Sequence, residues 1–126
     1  MARKLPPAKD WKARELKDWN VHTFHAYLMD EHKRLFRVPY YPFGAWGIEQ
    51  KMLKTCIAEY GQQVVKEFID TCFKEYKPNP NYPGINFGFM FKYKNNVLQR
   101  IILEQAKQKA REELTQDAID VDDDWI

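Results

Sequence analysis

One stretch of the chain, residues 61–76, constrains the fold more than any other. Its apolar side chains recur at intervals of three and four residues, the spacing of a helix that buries one face. They are Val65, Phe68, Ile69, Cys72, Phe73 and Tyr76. The sequence therefore predicts a core helix here, around which the rest of the chain packs.

The helical pattern stops at Tyr76, and prolines follow. Residues 77–88, the crossing segment, contain three prolines and three asparagines. Proline fixes φ and lacks an N–H donor, so this segment cannot be helical throughout. Its Tyr82, Ile85 and Phe87 form either a lid over the core or an exposed aromatic patch for a partner. The frequent burial of aromatic side chains favours the lid.

Two helices are predicted before the core helix. The first begins after Asn20, a common N-cap residue, with Trp19 placed to pack against its first turn, and it ends before Pro39. The second carries apolar residues from Ile48 to Tyr60. Gly61 then suits a left-handed residue between two helices, in the general helix-turn-helix layout.

A fourth helix is predicted from about Phe89, with Met90 and Tyr93 turned inward. No stretch shows the alternation of a strand, so the predicted class is all-α, a compact bundle of about four helices. The predicted organisation is a basic, partly ordered N-terminal tail over residues 1–18, a helical domain over 19–114 and a flexible acidic tail over 115–126. A chain of 126 residues is long enough for one such domain.

Charge is distributed unevenly along the chain. Residues 1–37 carry nine Lys or Arg against five Asp or Glu, whereas residues 99–126 carry four against eight. The basic N-terminal part favours a polyanionic partner, and the acidic C-terminal part either solvates the chain or mimics a polyanion.

Cysteine use and hydropathy indicate the compartment. Cys56 and Cys72 fall at apolar positions of separate predicted helices, without a paired-cysteine motif, which is typical of reduced core thiols in a cytosol-like compartment. No apolar run approaches the roughly 20 residues of a membrane span. A cytoplasmic protein without membrane contact is expected.

The residue types narrow the enzyme classes. The sequence has no serine, which excludes serine nucleophiles and phosphate loops ending in Gly-Lys-Ser. The histidines are too few for a closed metal site, so surface or boundary positions are expected for His22, His25 and His32. Carboxylates on polar helix faces offer no acid–base pair, and even a partly buried Asp70 lacks a partner; these are Glu59, Glu67, Asp70 and Glu75. The sequence predicts a non-enzymatic protein with no metal, cofactor or small-molecule substrate.

Nucleic-acid binding has more support, because basic residues are interleaved with aromatic ones near Trp11 and in residues 89–94. Such stretches can neutralise phosphates and stack bases. The candidate contacts are Arg3, Lys4, Lys12, Arg14, Lys17, Lys33, Arg34, Arg37, Lys92 and Lys94. The alternative is structural, because a basic cluster also suits the end of the first helix and Lys92 and Lys94 would solvate the rim of the fourth.

The most specific interaction signal is the C-terminal tip, Asp122-Asp123-Asp124-Trp125-Ile126. An aromatic and an aliphatic side chain behind a run of acids can dock in an apolar pocket rimmed by cations. The tip resembles the acidic-hydrophobic C-terminal tips of bacterial single-stranded DNA-binding proteins and the clamp-binding tips of phage late-transcription coactivators. This resemblance implies a protein partner in the replication or transcription machinery, whereas a purely solubilising tail is the alternative.

The body of the chain, about residues 19–103, carries a second resemblance. It rests on Trp19-Asn20, Phe36-Arg37-Val38-Pro39-Tyr40, Tyr60-Gly61-Gln62-Gln63-Val64 and Asn86-Phe87-Gly88. In their order these segments are similar to small helical proteins that tailed phages encode among their replication and transcription genes. This resemblance implies a shared fold more than a shared activity. Together with the tip and the basic, aromatic N-terminal part, it leads to the hypothesis of a non-enzymatic accessory protein of that machinery, acting in the host cytoplasm.

Two rival functions stay open. The protein could inhibit a host nucleic-acid enzyme, such as RNA polymerase or a replisome component, by placing its acidic tail in a basic groove without touching DNA itself. A weaker rival is an enzyme with a cryptic pocket near residues 40–46.

Overall fold

The computed structural model describes the backbone of residues 5–124 and the side chains of residues 5–115. Regular structure in these ranges is helical, with no β-strand. Helix α1 spans Val21–Phe36, α2 Trp46–Glu75, α3 Phe87–Tyr93 and α4 Asn95–Asp124, and a short 3₁₀ helix spans Leu16–Asp18. The predicted all-α fold is confirmed.

Helix α2 lies at the centre of the molecule, where it contacts α1, α3, α4 and the 3₁₀ helix. Its apolar stripe is buried as the spacing predicts, with Val65, Phe68 and Ile69 fully inaccessible to solvent and Tyr76 partly so. Burial of a full side chain of this size stabilises the fold by roughly 1.5–3 kcal/mol. The stripe therefore forms the largest part of the core.

Gly61 divides α2 into two helical arms. Its φ of 85° and ψ of 163° are not helical, and a positive φ is costly for any residue with a Cβ atom. The predicted break is confirmed. The helical pattern resumes at once, so the two predicted helices form one interrupted element.

Helix α1 begins and ends as local signals require. The Asn20 side chain accepts a hydrogen bond from the Thr23 N–H at 3.0 Å, and the Trp19 ring packs on Phe24 with centroids 5.1 Å apart. This is the predicted N-cap with its apolar contact across the first turn. The helix ends at Arg37, whose φ of 63° is left-handed.

The segment before α1 lies against the core. The Trp11 ring packs edge-on against Trp19 and Tyr27, with centroid distances of 6.0 and 4.8 Å. The Arg14 guanidinium donates to the carbonyl oxygens of Pro6 and Asp18 at 2.8 and 2.9 Å. Residues 5–18, assigned to an N-terminal tail from their polarity, are thus anchored by aromatic packing and by one arginine.

The predicted fourth helix is two helices. Asn86 caps α3 by accepting from the Phe89 N–H at 2.8 Å, and Lys94, with φ of −114°, separates α3 from α4. Met90 is buried as predicted, but Tyr93 is exposed. The inward orientation predicted for Tyr93 is wrong. Helix α3 ends at Tyr93, whose ring packs against the exposed Phe89 ring with centroids 4.8 Å apart.

Helix α4 continues to Asp124, ten residues beyond Leu114, where the predicted domain ended. The chain has no glycine or proline after Gly88, and residues 105–114 are strong helix formers, so nothing local stops the helix. The backbone of residues 115–124 is therefore helical where a flexible tail was predicted. Among the described helices, none combines the length and apolar composition that a bilayer crossing requires.

Candidate nucleic-acid interface

Four of the predicted cations meet in one groove, which we call the basic groove. Lys33, Arg34 and Arg37 come from the last turn and end of α1, and Lys12 comes from the segment before it. Together with Trp11, Asp30 and Glu31 they line a volume of about 730 Å³. Packing of Trp11 on the core brings Lys12 to α1.

The two carboxylates of the basic groove are already engaged. Asp30 accepts from the Trp11 indole N–H at 2.7 Å, and Glu31 accepts from the Arg34 guanidinium, with Nε 2.9 Å from Oε2. Among the side chains that the structure describes, Lys12, Lys33 and Arg37 form no ion pair. Those three cations are available to a polyanion.

The remaining predicted cations lie elsewhere. Arg14 holds the N-terminal segment through its two carbonyl acceptors, and its contact with nucleic acid stays a prediction. Lys17 pairs with Glu15 at 3.3 Å on the surface. Arg3 and Lys4 lie outside the described residues.

A second groove lies between the crossing segment and α3, and we call it the aromatic groove. Its volume is about 460 Å³, and no lysine, arginine or carboxylate lines it. The lining residues are Phe43, Tyr76, Asn79, Tyr82, Gly84, Ile85, Asn86 and Phe89. Residues 76–103 contain no Asp or Glu at all.

The crossing segment is both a lid and an exposed patch. Ile85 and Phe87 are buried, as the lid prediction requires, whereas Tyr82 is exposed. The backbone of Tyr82 is fixed from two sides, because its N–H donates to the Asn79 side chain at 2.9 Å and its carbonyl accepts from the Tyr76 hydroxyl at 2.6 Å. The Tyr82 ring is therefore presented to solvent by an ordered backbone.

Lys92 lies at the edge of the aromatic groove. Its ammonium is 5.7 Å from the centroid of the Phe43 ring and 5.4 Å from that of the Tyr93 ring, within the range of cation–π contacts. Lys94 instead ends α3, where its N–H donates to the Met90 carbonyl at 2.8 Å. The structure places these two predicted cations apart from the basic groove.

A third, smaller groove joins the other two. It has a volume of about 180 Å³, with Val38, Pro39 and Tyr41 on one side and Tyr82 on the other. Tyr82 also lines the aromatic groove, and Val38 directly follows Arg37 of the basic groove. The smaller groove therefore shares part of its lining with the aromatic groove and begins one residue after the basic groove.

The aromatic groove is built over Glu49, a buried carboxylate that the sequence analysis did not single out. Its Oε2 accepts from the backbone N–H groups of Phe43 at 2.8 Å and Gly88 at 3.3 Å. Its Oε1 accepts from the Tyr40 hydroxyl and from His25 Nε2, the latter at 3.0 Å. An ionised carboxylate only accepts hydrogen bonds, so Nε2 of His25 carries the proton.

The hydrogen bonds keep this carboxylate ionised. Burial alone would raise the pKa of Glu49, but the donors from His25, Tyr40, Phe43 and Gly88 outweigh it and leave the pKa below its usual value. Burial and the nearby Glu49 charge raise the pKa of Tyr40, so its hydroxyl stays protonated and donates. The Phe43 loop and the start of α3, which carry Phe43 and Phe89 of the aromatic groove, are therefore attached to one carboxylate.

Glu49 left one signal in the sequence, since it is the single Asp or Glu in residues 32–58. A lone acid next to an aromatic loop marks a carboxylate that collects donors from that loop. The partners from residues 25 and 88 carry no local signature, which is why spacing within one helix could not reveal the cluster.

Two of the three histidines are buried, which corrects the prediction of surface or boundary positions. His25 lies in the Glu49 cluster, and only His22 is exposed. His32 donates from Nδ1 to the Val38 carbonyl at 3.0 Å, and burial lowers its pKa more than this bond raises it. A Cβ added at Gly84 would lie 2.0 Å from His32 Nε2, so glycine is required where the crossing segment passes over this ring.

The predictions for the other polar groups have mixed outcomes. Asp70, expected to lack a partner, accepts from the Tyr27 hydroxyl and pairs with Lys66 at 2.8 Å. Cys56 and Cys72 are buried and unpaired as predicted, and burial raises the pKa of each thiol to about 12. No group of three or more His, Cys, Asp or Glu suited to a metal ion occurs in the part of the chain that the structure describes.

Comparisons with protein-family models, with curated proteins and with solved structures gave no match.

Proposed function

We propose that this protein is a non-enzymatic accessory protein of the phage type, which serves DNA replication or transcription in the host cytoplasm. It contacts nucleic acid through the basic groove and is tethered to a protein partner through its C-terminal tip. The observation that carries this proposal is the meeting of Lys12, Lys33, Arg34 and Arg37 around Trp11. These residues come from two separate parts of the chain.

The electrostatics of the basic groove suit a phosphate backbone. Lys12, Lys33 and Arg37 are exposed, and their charges are not consumed by carboxylates of the described residues. Cations in this state neutralise phosphates and release the counterions that surround a nucleic acid. Trp11 contributes a half-buried ring beside them.

The C-terminal tip supports the tether. Trp125 and Ile126 lie outside the described residues, and so do the side chains of Asp122, Asp123 and Asp124. The backbone leading to them is helix α4, whose 30 residues correspond to a length of about 45 Å. An acidic segment at the end of such a helix is well placed to engage a second protein.

The Glu49 cluster supports a non-enzymatic role. It is the place, among the described residues, where a carboxylate, an imidazole and a phenol meet out of contact with solvent. All its hydrogen bonds go to groups that build the fold, and every buried polar side-chain atom of the described residues has a partner. The cluster is therefore suited to positioning.

Salt-dependent binding tests the proposal. Fluorescence anisotropy with a labelled DNA strand should give a dissociation constant that rises steeply with salt. Replacing both cations in K33Q/R37Q should weaken binding and reduce the slope of log K against log salt by about 2, since each phosphate contact contributes about 1. The matched control is K51Q/K54Q, which removes two exposed lysines of α2 that line none of the three grooves.

Absence of binding to DNA or RNA at low salt would contradict the nucleic-acid part of the proposal. It would favour instead an inhibitor of a host nucleic-acid enzyme. That second function is supported by residues 112–124, which contain seven Asp or Glu and no Lys or Arg. Under either function, Trp125→Ala should reduce recovery of the protein partner in affinity purification from cells.

A further inference from the structure

We infer that the aromatic groove stacks the unpaired bases of a single strand, and that the protein therefore selects single-stranded over double-stranded nucleic acid. This inference rests on the proposed function, because the basic groove supplies the phosphate contacts. It adds a second site, a different chemistry and a substrate class.

Exposed rings are concentrated along the aromatic groove and the smaller groove beside it. The exposed fractions are 73% for Tyr41, 69% for Tyr82, 56% for Tyr93 and 38% for Phe89. Phe89 and Tyr93 are in contact, with ring centroids 4.8 Å apart. Exposed flat rings offer a nucleobase a stacking partner.

The charge of the aromatic groove fits a nucleic acid. The lining has no carboxylate to repel a phosphate, and the Lys92 ammonium lies 5.7 Å from the centroid of the Phe43 ring. A neutral pocket with a cation at its edge suits an uncharged base attached to a charged backbone. The volume of about 460 Å³ lies within the roughly 300–1,000 Å³ of ligand pockets.

The order of the grooves gives the strand a path. From the cations around Arg37 it would pass Val38 and Tyr41 in the small groove and reach Tyr82 and the aromatic groove. Phosphates are neutralised at one end and bases are stacked at the other. In a duplex the bases are paired and stacked inside, so only a single strand can use both parts.

The scaffold beneath the groove is pre-formed. Glu49 holds the Phe43 loop and the start of α3, and the turn around Asn79 fixes the Tyr82 backbone. The backbone around the groove therefore needs little further ordering when a strand binds, and a small entropic cost of ordering favours high affinity.

The test compares three probes of the same length, about 16 nucleotides, by anisotropy: a single strand, its duplex and a strand of abasic sites. The abasic strand keeps the phosphates and lacks the bases. We expect the wild-type protein to bind the single strand at least about tenfold more tightly than the other two. Tyr82→Ala and Phe89→Ala should each weaken single-strand binding about tenfold and leave the other two unchanged.

The matched control is Leu114→Ala, which removes a similarly exposed apolar side chain on α4, away from the three grooves. Thermal melts followed by circular dichroism check that each variant is folded. Tyr82→Ala should keep the wild-type stability, since the Tyr82 side chain is mostly exposed. Photocrosslinking of a strand containing 4-thiothymine should locate the crosslink within residues 82–93 by mass spectrometry.

Each of the following results would overturn a different part of the proposal. Equal binding of strand, duplex and abasic probe, with no effect of Tyr82→Ala, overturns the inference while leaving the basic groove as the binding site. Loss of a protein partner in Tyr82→Ala, with single-strand affinity unchanged, also overturns it and makes the groove a peptide site. Absence of any binding, even at low salt, overturns the nucleic-acid part of the proposed function together with this inference.

Discussion

Two carboxylates on α2 use the same kinds of donor in different surroundings. Glu49 accepts from the Tyr40 hydroxyl and from His25, and Asp70 accepts from the Tyr27 hydroxyl and from Lys66. The Glu49 side chain is fully buried, whereas that of Asp70 is 40% exposed. Glu49 also accepts two backbone N–H groups. Glu49 accepts hydrogen bonds from protein donors alone, whereas Asp70 accepts from protein donors and is also exposed to water.

Each carboxylate supports one of the two main grooves. Glu49 joins the Phe43 loop to Gly88 at the start of α3, the two segments that carry Phe43 and Phe89 of the aromatic groove. Asp70 fixes Tyr27, against which the Trp11 ring of the basic groove packs. Glu49 exceeds Asp70 both in burial and in the number of its donors, and both differences make the surrounding structure depend more on Glu49.

Replacing each of the two carboxylates by alanine should give the largest difference in the free energy of unfolding. Glu49→Ala leaves buried donors without an acceptor, so we expect a loss of about 3–5 kcal/mol in the free energy of unfolding. Asp70→Ala should cost about 1 kcal/mol or less, because water can replace a half-exposed acceptor. Urea denaturation followed by circular dichroism measures both. Similar losses in the two variants would break the comparison.

Gly88, whose N–H donates to Glu49, lies close to Phe43, and a side chain at position 88 should therefore lower the stability by a smaller amount. A Cβ at Gly88 would lie 2.2 Å from Phe43 Cβ, so Gly88→Ala should destabilise the fold by about 1–3 kcal/mol through overpacking. Gly47 is the matched helical control, since a Cβ there meets nothing within 4 Å. Gly47→Ala should be neutral or stabilise by up to about 1 kcal/mol in thermal unfolding. Equal melting temperatures for the two variants would show that α3 can move away from Phe43.

The pH dependence of stability gives a further test of the Glu49 site. The folded pKa of Glu49 is below its usual 4.5, so its contribution to stability is fully present above about pH 4.5. That contribution is lost as the pH falls through the folded pKa, with a slope of at most about 1.4 kcal/mol per pH unit for one proton. Glu49→Gln cannot titrate and should lack this slope.

Urea denaturation at about pH 5 and pH 3 measures the difference between the wild-type protein and Glu49→Gln. The groups that face Glu49 are His25, Tyr40 and two backbone N–H groups. His32, whose pKa is lowered, also favours unfolding on acidification, but both proteins keep it and its effect cancels. Parallel stability curves would mean that Glu49 titrates as an ordinary glutamate.

Local signals predicted the helices but not the site. The stripe of α2, the Asn20 cap and the break at Gly61 follow from contacts within one or two turns, and the structure confirms them. The same rule misplaced Tyr93, whose ring packs against the exposed Phe89 ring at the end of α3. The roles of Glu49 and Arg14 were missed for a related reason, since their partners are distant or are backbone carbonyls that spacing does not reveal.

An all-α chain with a central helix, a stiff crossing segment and a supply of cations and aromatic rings follows from the order of the residues alone. Which of these side chains meet depends on how the helices pack. Lys12 joins Arg37 because Trp11 packs on the core, and Tyr82 is exposed while Ile85 is buried because the crossing segment passes over His32. Helix formation depends on neighbours three and four residues apart, whereas these surfaces depend on contacts between residues dozens of positions apart, which are settled only when the whole core packs.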